Sequence, residues 1–178
     1  MIKLLSLDPS STRTGYAIFD VASHASFVPR ECGYLSPNSA KDSAVDRIRT
    51  MGTELRQIVR DECPHVAVIE VTTGKVQRRH KGGGAGLGIY GEAVGYMLGQ
   101  LDMASTLHPH EAMAVIPVLE NDWTCGVRKA ARQMAIAARY PQFAAGFAKD
   151  TGADAADALG LGDFWIRMEL RSHMEKHG

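Results

Sequence analysis

Cysteine is scarce in this chain: Cys32, Cys63 and Cys125 are odd in number, widely scattered, and form no CxxC pair. That pattern argues against a disulfide framework and against a thiolate zinc site, and it predicts a reducing, cytoplasmic environment. Long hydrophobic runs are missing too. Nothing approaches the roughly 18 uninterrupted apolar residues of a membrane span, so no membrane partner is expected. The start, MIKLLSLDPSS, has too short an apolar run before Asp8 to read as a secretory signal. Net charge is absent, because 20 basic and 20 acidic residues cancel, and a neutral chain does not advertise a polyanionic partner. Repeats, low-complexity tracts and evident linkers are lacking as well. With 178 residues and 45% hydrophobic content, a single globular domain over 1–178 with a substantial core is expected.

What the sequence does contain is unevenly placed charge. Lys75, Arg78, Arg79, His80 and Lys81 crowd one stretch, and Arg128, Lys129 and Arg132 form another. Apolar patterning supplies the frame. IKLLSL (2–7) and GYAIFDV (15–21) read as a hairpin across the polar PSSTRT turn, and FVPRECGYL (27–35) as a third strand at an edge, given Pro29. Helical spacing from Ala44 to Val59 predicts a helix from about 41 to 62. HVAVIEV (65–71) reads as a buried strand, and TTGKVQRRHKGGGAG (72–86) as a loop. A second helix is marked by Leu87, Tyr90, Val94, Met97, Leu98 and Leu101. A short strand near 105–108, an irregular stretch through Trp123, a helix from about 126 to 140 and a last helix from near Ala153 complete the expectation. This is an α/β sheet domain with helices packed on it.

Carboxylates stand at odd places in that frame. Asp8 closes the run IKLLSL before Pro9, where a plain Asp-Pro turn would also account for it. Glu70 sits near the C-terminal end of VAVIEV, and a carboxylate in a buried central strand costs several kcal/mol unless something cationic meets it. Asp154 and Asp157 fall in the first turn of the last helix, where the helix dipole alone favours acids by roughly 0.3–1 kcal/mol. Residues 154, 157, 158, 161 and 165 share one helical face, however, and that face continues as Ala158, Leu161 and Trp165. The two acids therefore head a buried stripe. Four carboxylates converging at one sheet end cannot all stay ionised without a cation. Hard oxygen ligands suit Mg²⁺, or Mn²⁺, and two such ions about 4 Å apart clamp the attacking water and the leaving oxygen of a phosphodiester.

LLSLDPSSTRTGYAIFD, VAVIEVTTG and GADAADALGLG, in that order, resemble the three acidic motifs of the RuvC-type Holliday-junction resolvases, members of the RNase H-like nuclease superfamily. The resemblance implies an RNase H-like α/β fold, a mixed five-stranded sheet flanked by helices. It implies that Asp8 bridges two Mg²⁺ ions, that Glu70 joins one of them, and that Asp154 and Asp157 complete the set. It implies a homodimer whose subunits each nick one of two opposed strands of a four-way junction, water leaving a 5′-phosphate and a 3′-hydroxyl. Two departures stand out. Ser10 replaces a customary glycine, and no aromatic residue follows the glutamate to wedge between bases. PVLENDWTCGVRKAARQ resembles phage-encoded relatives more than bacterial housekeeping ones.

Within that resemblance Lys75, Arg78, Arg79 and Lys81 are expected to contact junction phosphates, an interaction that weakens with salt. Arg128, Lys129 and Arg132 either meet phosphate at a helix start or are ordinary helix-surface charge. Gly88, Gly91, Gly95 and Gly99, spaced by three or four, let another backbone approach closely. The resemblance places that helix at the dimer interface; packing on the chain's own sheet is the alternative. His108 and His110 read as surface or loop histidines, and Trp123 as core or interface. Three competing readings remain: a less selective RNase H-like nuclease on branched or single-stranded nucleic acid, an actin-like or sugar-kinase-like nucleotide-binding domain, and an inactive DNA-binding relative. The short chain and the lack of a second Gly-rich phosphate motif weigh against the nucleotide-binding domain, and the four acids against the inactive relative.

Overall fold

The three apolar runs at the start of the chain form an antiparallel meander, β1 (Ile2–Asp8), β2 (Thr14–Ser23) and β3 (Ser26–Leu35). The structure is a computed structural model that describes residues 1–37, 41–72, 84–107, 113–148, 154–170 and 172. Two further strands, β4 (Val66–Val71) and β5 (Ala114–Leu119), run parallel to β1 and give a mixed sheet in the order β3-β2-β1-β4-β5. Pro29 lies in the edge strand, as its missing N–H requires, and the register shifts beside it.

Helix α1 (Ala44–Glu62) starts three residues later than its periodicity suggests, because Ser43 caps it: its hydroxyl accepts the Asp46 N–H at 3.2 Å. It ends on Cys63, whose φ of 47° lies in the left-handed region that glycine occupies most readily. Cys63→Gly should therefore raise stability by roughly 1 kcal/mol. A thermal melt should show this as a gain of about 2–4 °C for a chain of this size. An unchanged or lower melting temperature would mean that the thiol's 3.2 Å bond to the Arg60 carbonyl holds the cap.

Helix α2 (Gly84–Leu107) corrects two expectations. It begins inside the glycine-rich stretch read as loop, and it takes in 105–107 of the segment read as a strand near 105–108, whose last residue lies outside the described residues. Met97, Leu101 and Ala104 are all buried at helical spacing, so the apolar face simply continues. The stretch read as irregular through Trp123 is β5 followed by the single turn α3 (Glu120–Thr124). Pro117 disguised that strand; β5 is the outer strand, where a residue without an N–H is tolerated. Helix α4 (Lys129–Arg139), a 3₁₀ turn (Pro141–Phe143), the one-turn α5 (Ala144–Phe147) and α6 (Asp154–Met168) follow.

Strand alternation splits the core in two. Leu5, Leu7, Ile18, Ala67 and Ile69 face Ile48, Met51 and Leu55 of α1 and Met97 and Leu101 of α2. Leu4, Phe19, Val66 and Val68 face Ala156, Leu159 and Trp165 of α6. The expected stripe on α6 is wider than one face: every residue from Ala155 to Asp163 is buried, because α6 lies between the sheet and α4. Among the described residues no helix is long and apolar enough to cross a membrane.

Candidate active site

Parity puts two carboxylates on the α6 face. Leu4, Ser6 and Asp8 alternate with Leu5 and Leu7, just as Val66, Val68 and Glu70 alternate with Ala67 and Ile69. Leu7 pairs with Ile69 in the parallel register, so Asp8 and Glu70 occupy the next positions at the carboxyl ends of adjacent strands. Ligand sites of open α/β sheets gather at that edge. Both acids are buried.

The other two acids arrive by a close backbone approach. Gly15, the partner of Asp8 across the hairpin, would place a Cβ 1.9 Å from the Asp154 carbonyl oxygen. The first turn of α6 thus rests directly on β2 beside Asp8. Farther along, the hydroxyl of buried Ser6 donates to the Ala158 carbonyl at 2.7 Å and ties β1 to the same helix. Asp157 is 3% exposed. Arg132 meets it with two bonds, Nε to Oδ1 at 3.2 Å and Nη2 to Oδ2 at 3.0 Å. Lys129 Nζ lies 3.1 Å from Asp157 and 3.3 Å from Asp154, and Arg13 Nε lies 3.1 Å from Asp154. Asp163, one turn and a half along α6, belongs to a separate structural cluster with Tyr140, Arg139 and Arg167.

Asp8 lies within electrostatic reach of the other three acids. Burial pushes the Asp8 carboxyl well above its ordinary range, and Glu70, Asp157 and Asp154 push it further against the pull of Lys129. Burial likewise raises Glu70 to about 7; a bond from the Trp123 indole opposes this, Glu120 and Asp157 add to it, and Arg132 opposes it. Burial alone would lower Lys129, but Asp8, Asp157 and Asp154 outweigh it and hold the ammonium charged. From α2, the Tyr90 hydroxyl is buried without a hydrogen-bond partner among the described residues. Burial, Glu70, Asp8 and Glu120 raise it above the usual tyrosine range.

A pH dependence follows. Between the ordinary 4.5 of a glutamate and about 7, folded Glu70 holds a proton that the unfolded chain has released. Stability from this group therefore falls as pH rises through that window, and Asp8 acts in the same sense. Thermal melts in a chelator should show Glu70→Gln losing less stability than the parent between pH 5 and roughly 7, by a few kcal/mol at most. Parallel profiles would contradict the assignment.

Donor chemistry at this sheet edge fits a divalent cation: oxygen ligands only, buried, and repelling one another. Among the described residues, however, no three His, Cys, Asp or Glu side chains stand together as a metal-holding group. Asp154 and Asp157 are turned to Arg13, Lys129 and Arg132 instead.

The remaining expected residues divide by place. Lys75, Arg78, Arg79, Lys81, His108 and His110 lie outside the described residues. Arg128 is the N-terminal flank of α4, and its side chain makes no cap bond. Gly88, Gly91, Gly95 and Gly99 are exposed, and a Cβ at any of them would meet nothing within 4 Å among the described residues, so they do not pack on the chain's own sheet. Sequence reasoning missed Arg13, Tyr90 and the role of Trp123 at the site. Arg13 in the PSSTRT turn beside Asp8 carried the only available signal.

Comparisons with known proteins agree on the fold. No protein-family model matches the chain, and no curated protein is similar enough to match. Thermus thermophilus RuvC in complex with a Holliday junction substrate superposes with a TM-score of 0.61 at 14% identity, over 94% of this chain and 96% of that one. Fowlpox virus resolvase in complex with substrate Holliday junction DNA gives 0.57 at 14% identity, over 96% and 99%. The yeast mitochondrial Holliday junction resolvase Ydc2 gives 0.55 at 11%, over 92% and 78%. The chain has an RNase H-like α/β fold, as the motif resemblance implied.

Proposed function

We propose that the chain is a metal-dependent, structure-selective DNA endonuclease that resolves four-way junctions by paired, symmetric nicks. The observation that carries this reading is the buried pair Asp8 and Glu70 at the carboxyl ends of adjacent strands, with Asp8 crowded electrostatically by Glu70, Asp157 and Asp154. The likeness in fold to resolvases, two of them bound to junction DNA, supports it. The cofactor is Mg²⁺, two ions per site, with Mn²⁺ as a substitute. When bound, such ions activate a water and stabilise the leaving oxygen of a phosphodiester. Asp8, Glu70 and Asp157 would hold them, with Asp154 completing the set.

The chain's own residues do the rest. Burial of Asp8, Glu70 and Asp157 beside half-buried Asp154 would favour an incoming cation, because it relieves their mutual repulsion. Lys129 and Arg132, which pair with Asp154 and Asp157, would stand beside the site as cations able to meet a substrate phosphate. Arg128 flanks them at the start of α4. Lys75, Arg78, Arg79 and Lys81 would track junction phosphates. The protein acts in a reducing cytoplasm.

A homodimer follows from the same reading. Gly88, Gly91, Gly95 and Gly99 leave one face of α2 open, flanked by the exposed apolar side chains Leu87 and Met103. A second copy laid on that face would place two sites against opposed strands. Gly95→Glu, which has open space around it, should leave the melting curve intact and convert a dimer to a monomer in sedimentation. A variant that stays dimeric would place the interface elsewhere.

The function is tested by incubating the protein with a synthetic four-way junction, linear duplex and single strands of the same sequence, with Mg²⁺ and with chelator. Cutting confined to the junction and dependent on metal is expected. Equal cutting of all three substrates would favour a less selective nuclease, and ATP hydrolysis without cleavage would favour a nucleotide-binding domain.

A further inference from the structure

We propose that Trp123 is a positioning residue of the acidic site, one side chain that orients Glu70 directly and Asp157 through Arg132. The inference rests on the nuclease reading and deepens it. Trp123 stands in α3, and its indole Nε1–H donates to Glu70 Oε2 at 2.7 Å in a buried bond. The same ring lies under the Arg132 guanidinium, 4.9 Å from ring centroid to Cζ, within the range of a cation–π contact. Arg132 in turn makes its two bonds to Asp157. A carboxylate on β4 and one on α6 are thereby referred to a single rigid ring.

The ring itself is fixed. It is 9% exposed, and its outer edge rests on α6 at Gly160, where an added Cβ would lie 3.2 Å from Trp123 Cζ3. The chain leaves α3 through two left-handed residues, Cys125 (φ 48°) and Gly126 (φ 73°). That reversal brings α4, and with it Arg132, back over the ring.

Chemistry explains why an indole suits the place. It donates one hydrogen bond, accepts none and does not titrate. It therefore orients the Glu70 carboxylate while leaving the negative charge uncancelled and Oε1 free of this bond. Lysine or arginine at the same point would supply the charge that an incoming cation supplies, and would compete with it. Outer partners of this kind typically change metal affinity by 10–100-fold when removed.

The test compares the full chain with Trp123→Phe, which keeps a ring for Arg132 and deletes the N–H. Mn²⁺ binding is followed by electron paramagnetic resonance, and folding by thermal melting. Roughly tenfold weaker Mn²⁺ binding is expected with junction affinity in Ca²⁺ unchanged. A second readout uses Trp165→Phe, which leaves Trp123 as the only tryptophan. Its fluorescence should be quenched by Mn²⁺ with the same midpoint as the resonance titration. Parental Mn²⁺ affinity in Trp123→Phe would overturn the proposal while leaving the nuclease reading intact. Should that variant fail to fold, unquenched Trp123 emission at saturating Mn²⁺ would overturn it. A parent protein that binds no Mn²⁺ would remove the nuclease reading and this inference together.

Discussion

Asp8→Asn should reduce metal-dependent junction cleavage by roughly a thousandfold or more, and should also make the metal-free protein more stable. The two effects have one origin. Asp8 closes β1 on the buried face and is crowded by Glu70, Asp157 and Asp154, which together with burial disfavour its charge. In the absence of a cation that crowding opposes folding, and amide for carboxylate relieves it at nearly constant shape. A gain of about 1 kcal/mol corresponds to roughly 2–4 °C in a chain of this size. Opposite signs separate a functional loss from a folding loss, because unfolding lowers both activity and melting temperature. A variant that keeps most of its cleavage would remove Asp8 from the reaction. One that melts well below the parent would show Asp8 to be a structural acid, as Asp163 is.

Gly15→Ala should be the most damaging glycine-to-alanine substitution among the described residues. A methyl at this position meets the backbone of Asp154 at 1.9 Å, with the carbonyl carbon at 2.3 Å, and a backbone cannot rotate away as a side chain can. Either β2 or the first turn of α6 must move. Overpacking of this kind costs typically 1–3 kcal/mol and sometimes more. Any relief comes from lifting Asp154 and Asp157 away from Asp8, so cleavage should fall by far more than the loss of folded protein explains. Circular dichroism melting and junction cleavage at a temperature where the variant is fully folded check the two parts. Parental activity in a fully folded variant would mean that α6 need not rest on Gly15 for the site to form.

The parts of this site that were legible in the sequence are those in which a residue contradicts its own segment. Asp8 ends one apolar strand and Glu70 is the last residue but one of another, and strand parity then sends both to one face without reference to anything distant. Asp154 and Asp157 head a helix that continues as the apolar run 158–162, and the order of the motifs supplied the fold. The illegible parts depend on contacts that periodicity does not encode. Trp123 reaches Glu70 across 53 residues, and Gly15 touches Asp154 only in the folded chain. The partners of Asp154 and Asp157 were also hidden, since Lys129 and Arg132 read equally as surface charge. Pro117 masked β5, because an edge strand and a turn look alike when proline sits in them. The helix marked by Met97 and Leu101 runs on to Leu107 because its buried face continues through Ala104.

Two cooperating acidic sites on one junction would reveal themselves when cuts are mapped on a four-way junction with each strand end-labelled in turn. With Mg²⁺, nicks are expected in two opposed strands at symmetric positions, with ligatable products and no cutting by Asp8→Asn or in chelator. Cuts in all four strands at unrelated positions, or unchanged cutting by Asp8→Asn, would contradict that arrangement.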